Sequence, residues 1–154
     1  MLNKYITQVT ILIGLFSLTA CVANNTKETE EQPKLNLVQI REQADIAYKD
    51  NDFVTSEKNY EILIKESPEE AEYWFRLGNI YVLTNRPYTA ISLYHEAVIR
   101  NPKFAKAWFN LGIVQLKQTA FSLNEMLIYA DKQDPLYSKA ATMLEKIKAI
   151  VDGE

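Results

Sequence analysis

The stretch Trp74-Phe75-Arg76-Leu77-Gly78-Asn79-Ile80-Tyr81 decides the fold. Trp74, Leu77 and Tyr81 recur at spacings of three and four, which places them on one face of an α-helix. Gly78 lies on the same face, and a glycine inside a helix costs stability unless a neighbour has to come close. Downstream, Ala90, Tyr94 and Ala97 repeat the same spacings. They give a second helix a small–bulky–small stripe, with Tyr94 filling the gap that Gly78 and Ala90 leave. Two helices crossing at small residues are the expected unit.

Working outward, Pro68, Pro102 and Pro135 are spaced 34 and then 33 residues apart. Each follows a residue that caps helices well: Ser67, Asn101 and Asp134. Proline at a first helical position loses nothing by lacking its N–H, so each proline is expected to open a helix. Ser67-Pro68-Glu69-Glu70 also has the form of a capping box. The period near 34, together with Trp74-x2-Leu77-Gly78-x2-Tyr81, Ala90-x3-Tyr94, Ala97 and Pro102, resembles the tetratricopeptide repeat (TPR) family.

The resemblance covers about residues 37–151 and implies an all-α TPR solenoid of about three helix-turn-helix repeats plus a C-terminal capping helix. Residues 71–104 form the best-matching unit. The preceding unit, 37–70, is degenerate but in register: Ile40 stands for Trp74, Ala44 for Gly78, Ser56 for Ala90, Tyr60 for Tyr94 and Leu63 for Ala97, with Asn51-Asp52 at the turn. The following unit, 105–137, opens with Trp108-x2-Leu111-Gly112, and Gln115 replaces the tyrosine. Its second helix fits with one residue deleted near a turn at Gln118-Thr119, so that Leu123, Leu127 and Ala130 take the small–bulky–small positions. Residues 138–151 carry one apolar stripe of Ala140, Ala141, Leu144, Ile147 and Val151 and read as the helix that caps the open end.

The N-terminal segment reads as an address. Lys4 precedes an apolar run from about Val9 to Leu18, too short for a bilayer span of about 20 residues and suited to a secretory signal peptide. Leu18-Thr19-Ala20-Cys21 resembles a bacterial lipobox, which implies cleavage after residue 20 and lipidation of Cys21, the only cysteine. Residues 21–36 then form the lipidated cysteine and an acidic, nearly apolar-free tether with Glu28, Glu30 and Glu31, a composition that cannot offset its ordering entropy. Val22 after the cysteine, in place of a retaining aspartate, favours the periplasmic face of the outer membrane in a Gram-negative cell.

Composition narrows the function classes. Of 154 residues, 47% are hydrophobic and only four are glycine, which suits long helices over a turn-rich β fold. The net charge of −3 offers no broad basic surface, so nucleic acid is not expected as a partner. One histidine, one cysteine and no phosphate-binding or nucleophile-elbow motif leave neither a cofactor, a metal site, a small-molecule substrate nor an enzyme to be expected. His95 reads as an exposed surface residue.

In the TPR family the first helices of the pairs line a concave side. Register then implies a partner-binding set of Arg41, Tyr48, Phe75, Arg76, Asn79, Val82, Lys106, Phe109, Asn110 and Ile113: an apolar strip with a basic rim, suited to a protein or peptide segment with a few apolar anchors. Asp45 and Arg76 stand where a carboxylate clamp has asparagines, and Asn110 where it has a cation. That clamp is therefore not expected. The layout as a whole is similar to small TPR lipoproteins that accompany pilus and secretion machines, Flp/Tad pilus assembly and pilotin-like families among them. It implies a membrane-anchored scaffold or assembly factor, with a periplasmic holdase for exported chains as the alternative.

Overall fold

The computed structural model describes residues 36–153. The expected leader, the expected lipid site Cys21 and the expected tether up to residue 35 lie outside the described residues. The rest is all-α, with six helices: α1 (Leu37–Lys49), α2 (Phe53–Glu66), α3 (Ala71–Leu83), α4 (Pro87–Arg100), α5 (Ala105–Tyr129) and α6 (Pro135–Val151). Each packs chiefly on its neighbours in sequence, α1 on α2, α2 on α3 and so on to α6. Near-neighbour packing of this kind is what a stack of helix pairs requires.

Local chemistry sets the ends. The Asn36 and Asp52 side chains accept from the backbone N–H of Gln39 at 3.2 Å and of Thr55 at 3.1 Å, capping α1 and α2. Asn51 and Asn85, 34 residues apart, hold φ of 59° and 58° at the turns within the first two pairs. Asparagine tolerates this left-handed region better than other side chains bearing a Cβ. Those two residues reverse the chain.

The prolines act differently from the sequence expectation. Ser67 and Asn101 are the C-caps of α2 and α4, and α3 and α5 begin three residues after Pro68 and Pro102. Ser67-Pro68-Glu69-Glu70 closes a turn through Glu70 N–H to Ser67 C=O at 3.2 Å, and Phe104 N–H to Asn101 C=O at 3.0 Å repeats it. Proline's fixed φ suits the second position of such a turn as well as a helix start, which is why the sequence signal is ambiguous. Only Asp134-Pro135 is a true cap and first position, with Asp134 accepting from Leu136 N–H at 2.8 Å.

The third unit departs most. No turn forms at Gln118-Thr119, and α5 runs unbroken for 25 residues. The position that carries Asn51 and Asn85 is here Thr119. A β-branched residue is strongly disfavoured at positive φ. Thr119 instead stays helical, its hydroxyl donating to Gln115 C=O at 2.9 Å. With no glycine, asparagine or proline from residue 113 to 123, nothing stops the helix. Leu123 and Leu127 therefore lie on the same helix as Trp108, not on a second one. The last helix begins at Pro135 and not at 138, burying Ala140, Leu144 and Ile147 on one face. It is the antiparallel partner of α5 as well as the end of the stack.

Two apolar clusters form the core. One joins Ala44, Tyr60, Leu63, Leu77, Ile80 and Leu93 across the first and second pairs. The other joins Phe75, Ala90, Tyr94, Ala97, Val98, Ala107, Leu111 and Val114 across the second pair and α5. The small residues do what the pattern predicted: a Cβ at Gly78 would stand 2.6 Å from the Tyr94 ring. Ser56, in the register of Ala90, is fully buried and donates to Ala44 C=O at 2.9 Å, so its hydroxyl is satisfied.

Candidate functional site: a groove on the first helices

The first helices α1, α3 and α5 carry a polar arrangement that recurs at the repeat period. The Tyr60 hydroxyl donates to the Asp45 carboxylate. Thirty-four residues on, the Tyr94 hydroxyl donates to Asn79 Oδ1 at 2.8 Å. The same oxygen accepts from Asn110 Nδ2 at 2.9 Å, which ties α5 to α3. Arg76 holds the register of Asn110 and lines one pocket with Asp45 and Tyr60. The first copy is charged and the second is neutral.

Burial pushes the Tyr94 phenol up to about 12, with the Asn110 amide opposing the shift. The Tyr60 phenol is pushed up further by burial and by the Asp45 carboxylate that accepts its proton. Both tyrosines therefore serve as neutral donors.

Two pockets open on this face. The first, about 310 Å³, is apolar along its walls, with Tyr48, Val82, Leu83, Phe109, Ile113 and Val114, and has Asn79, Asn110 and Tyr94 as its polar lining and Lys117 at its edge. Phe109 is 60% exposed and Leu83 54%, so bulky apolar surface stands open. The second, about 200 Å³, is charged: Arg41, Asp45, Tyr60, Glu70, Glu72, Tyr73 and Arg76. There Arg76 Nε donates to Glu72 Oε1 at 2.7 Å.

The sequence-derived set is thus divided. Tyr48, Asn79, Val82, Phe109, Asn110 and Ile113 come together in the apolar groove. Arg41 and Arg76 belong to the charged pocket beside it. Phe75 does not reach either one. It is buried, with its ring centroid 4.9 Å from Phe104 and 5.9 Å from Tyr94, and it is core. Phe104 and the start of α5 cover residue 75, whereas Phe109, in the same register on α5, stays open. Lys106 is exposed and lines neither pocket, because it stands at the first turn of α5, outside the groove. His95 is exposed on α4, as expected.

Sequence reasoning missed Lys117 and Val114. Lys117 lies one helical turn beyond Ile113 on the same face, a spacing readable from the sequence. The assumed turn at 118–119 hid it by ending the helix too soon. The sequence pattern gives Tyr94 a packing role alone, yet its phenol oxygen reaches Asn79 on the groove side.

The comparisons agree with this architecture. A sequence profile of the tetratricopeptide repeat matches residues 41–91 and 81–136. Among solved structures, the chain is similar to the TPR2B domain of yeast Sti1, in a complex with pHsp70, at 16% identity and a TM-score of 0.52 over 76% of this chain and 83% of that one. No curated protein matches the sequence. With most of its helical region covered by that profile, the chain belongs to the tetratricopeptide repeat family, whose repeats make protein–protein interaction domains.

Proposed function

We propose that this chain is a TPR adaptor tethered to the bacterial envelope by a lipid on Cys21, and that it holds a segment of one partner protein in the groove between Tyr48, Val82, Phe109 and Ile113. The observation that carries the reading is the groove itself: exposed apolar walls from α1, α3 and α5 around the paired amides of Asn79 and Asn110. Asn79 Oδ1 already accepts two bonds, which leaves its amide N–H groups and the Asn110 carbonyl to meet a peptide main chain. Apolar walls anchor side chains while the amides read the backbone, the usual division of labour in peptide recognition. The TPR2B domain of yeast Sti1, of the same fold, has pHsp70 as its partner in the complex.

The lipobox-like Leu18-Thr19-Ala20-Cys21 supports the anchor. Among the described residues no helix is long and apolar enough to cross a membrane, so in this reading the lipid supplies location and the tether supplies reach. A scaffold or assembly role in a pilus or secretion machine fits that layout. The partner is then a protein segment, with no nucleic acid, cofactor or small substrate involved.

Membrane fractionation and affinity purification test the two halves separately. Cys21→Ser releases the chain from the membrane fraction if the anchor reading holds. Ile113→Arg abolishes co-purification of a stoichiometric envelope partner, whereas Glu61→Arg, on exposed α2 surface, leaves it intact. Co-purification that survives Ile113→Arg overturns the groove reading. Recovery of many unrelated exported chains in place of one partner favours the holdase.

A further inference from the structure

The repeats of this chain can be laid over one another, and one of them is incomplete. In the second repeat the α3 face of Trp74, Gly78 and Tyr81 is covered by α4. Tyr94 packs on Gly78 so closely that a Cβ there would stand 2.6 Å from its ring, and Arg100 lies over the Trp74 indole at 4.1 Å. The third repeat presents the same face 34 residues on, as Trp108, Gly112 and Gln115. Its tryptophan is held in the same way: Trp108 Nε1 donates to Pro102 C=O at 3.0 Å, as Trp74 Nε1 does to Pro68 C=O at 2.8 Å.

What differs is the cover. A Cβ at Gly112 would meet nothing within 4 Å, and Trp108 is 50% exposed. Gln115 and Thr119, next along the face, are exposed too. Because α5 runs straight through residue 119, the segment that holds the register of α4 is carried away from Gly112. From Gly112 to Ile128, the register position of Tyr94, a straight helix measures about 24 Å. The α6 helix does not reach Gly112 either.

We propose that the Trp108–Gly112–Gln115 face of α5 docks an amphipathic helix of a partner protein, one carrying an aromatic residue four positions after an alanine, and that this helix completes the third repeat in trans. The occupant's chemistry is set by continuity with the interface that α3 and α4 already build in this chain. An alanine allows close approach, an aromatic ring fills the space over the glycine, and a cation six residues further on covers the indole, as Ala90, Tyr94 and Arg100 do on α3. The face is distinct from the groove, which takes Phe109, Asn110 and Ile113 from other sides of α5.

The test uses a synthetic helix with the sequence of residues 87–100, side-chain-stapled to hold it helical, titrated into the full chain carrying a label at the C-terminus. The full chain binds it saturably. Gly112→Leu in the chain, or an alanine at the Tyr94 position of the peptide, weakens binding at least tenfold. Gly112→Leu leaves the melting temperature of the free chain unchanged or raised, which separates blocked docking from misfolding. Ile113→Arg leaves peptide binding intact, so failure of the groove reading does not carry this one with it. No binding, or equal binding to Gly112→Leu, overturns the proposal. So does a dimer of the free chain that Gly112→Leu dissociates, since the occupant is then a second copy.

Discussion

Asn79 accepts two hydrogen bonds at one oxygen, from Tyr94 on its own repeat and from Asn110 on the next, and so couples the core to the groove at a single residue. Tyr94→Phe removes the 2.8 Å bond and is expected to cost about 0.5–1.5 kcal/mol, read by urea unfolding, and to loosen the Asn79 amide in the groove. The same phenol gives a pH dependence. Its pKa is raised by burial to about 12 in the folded chain, against about 10 unfolded. Its contribution is fully present below pH of about 10 and is lost as pH rises through the folded value, because only the unfolded state gives up the proton in that window. Stability measured by urea unfolding therefore falls across that window, and less steeply in Tyr94→Phe. The two helical glycines, identical in register, separate by environment. Gly78→Ala drives a Cβ into the Tyr94 ring and is expected to cost about 1–3 kcal/mol. Gly112→Ala meets open space and is expected to gain about 0.5–1 kcal/mol of helix stability. Paired thermal melts check both signs at once.

At the scale of the element, the history of α5 rests on one position. Asn51 and Asn85 adopt positive φ and turn the chain; Thr119 does not, and the helix continues. Copying the Asn85-Arg86-Pro87 turn into the third repeat, as Thr119→Asn with Phe121→Pro, is expected to break α5. Spin labels at Lys106 and Ile128 then move from the separation of about 33 Å that 22 helical residues span to a clearly shorter one, and an unchanged distance contradicts the account. The first two helix pairs were legible because their signals agree: face spacing, small residues at the crossing and asparagine at the turn. The third misled because its apolar spacing imitates a second helix while the one residue able to reverse the chain is missing. The deletion needed to bring Leu123 and Leu127 into register was itself the sign of that absence. Ser67 and Asn101 misled for a different reason, since a polar residue before proline satisfies a helix cap and a turn entry equally.

At the scale of the molecule, the groove was half legible. Register alone brought Tyr48, Asn79, Val82, Phe109, Asn110 and Ile113 to one face, since helix periodicity fixes direction. It failed at Phe75 and Lys106, where the outcome depends on how α4 and α5 lie against α3, which no period reports. The basic rim became a separate pocket because Arg76 pairs with Glu72 and faces Asp45. The faces of the first and second helices thus differ in what they offer a partner, and the proposed binding is on the first-helix face. Photocrosslinking in the native cell is the direct test, with the crosslinking residue placed at Phe109 in the groove or at Ile99, 68% exposed on α4. One dominant captured protein is expected at Phe109 and none at Ile99. Equal capture at both positions, or capture at Ile99 alone, contradicts binding in the groove.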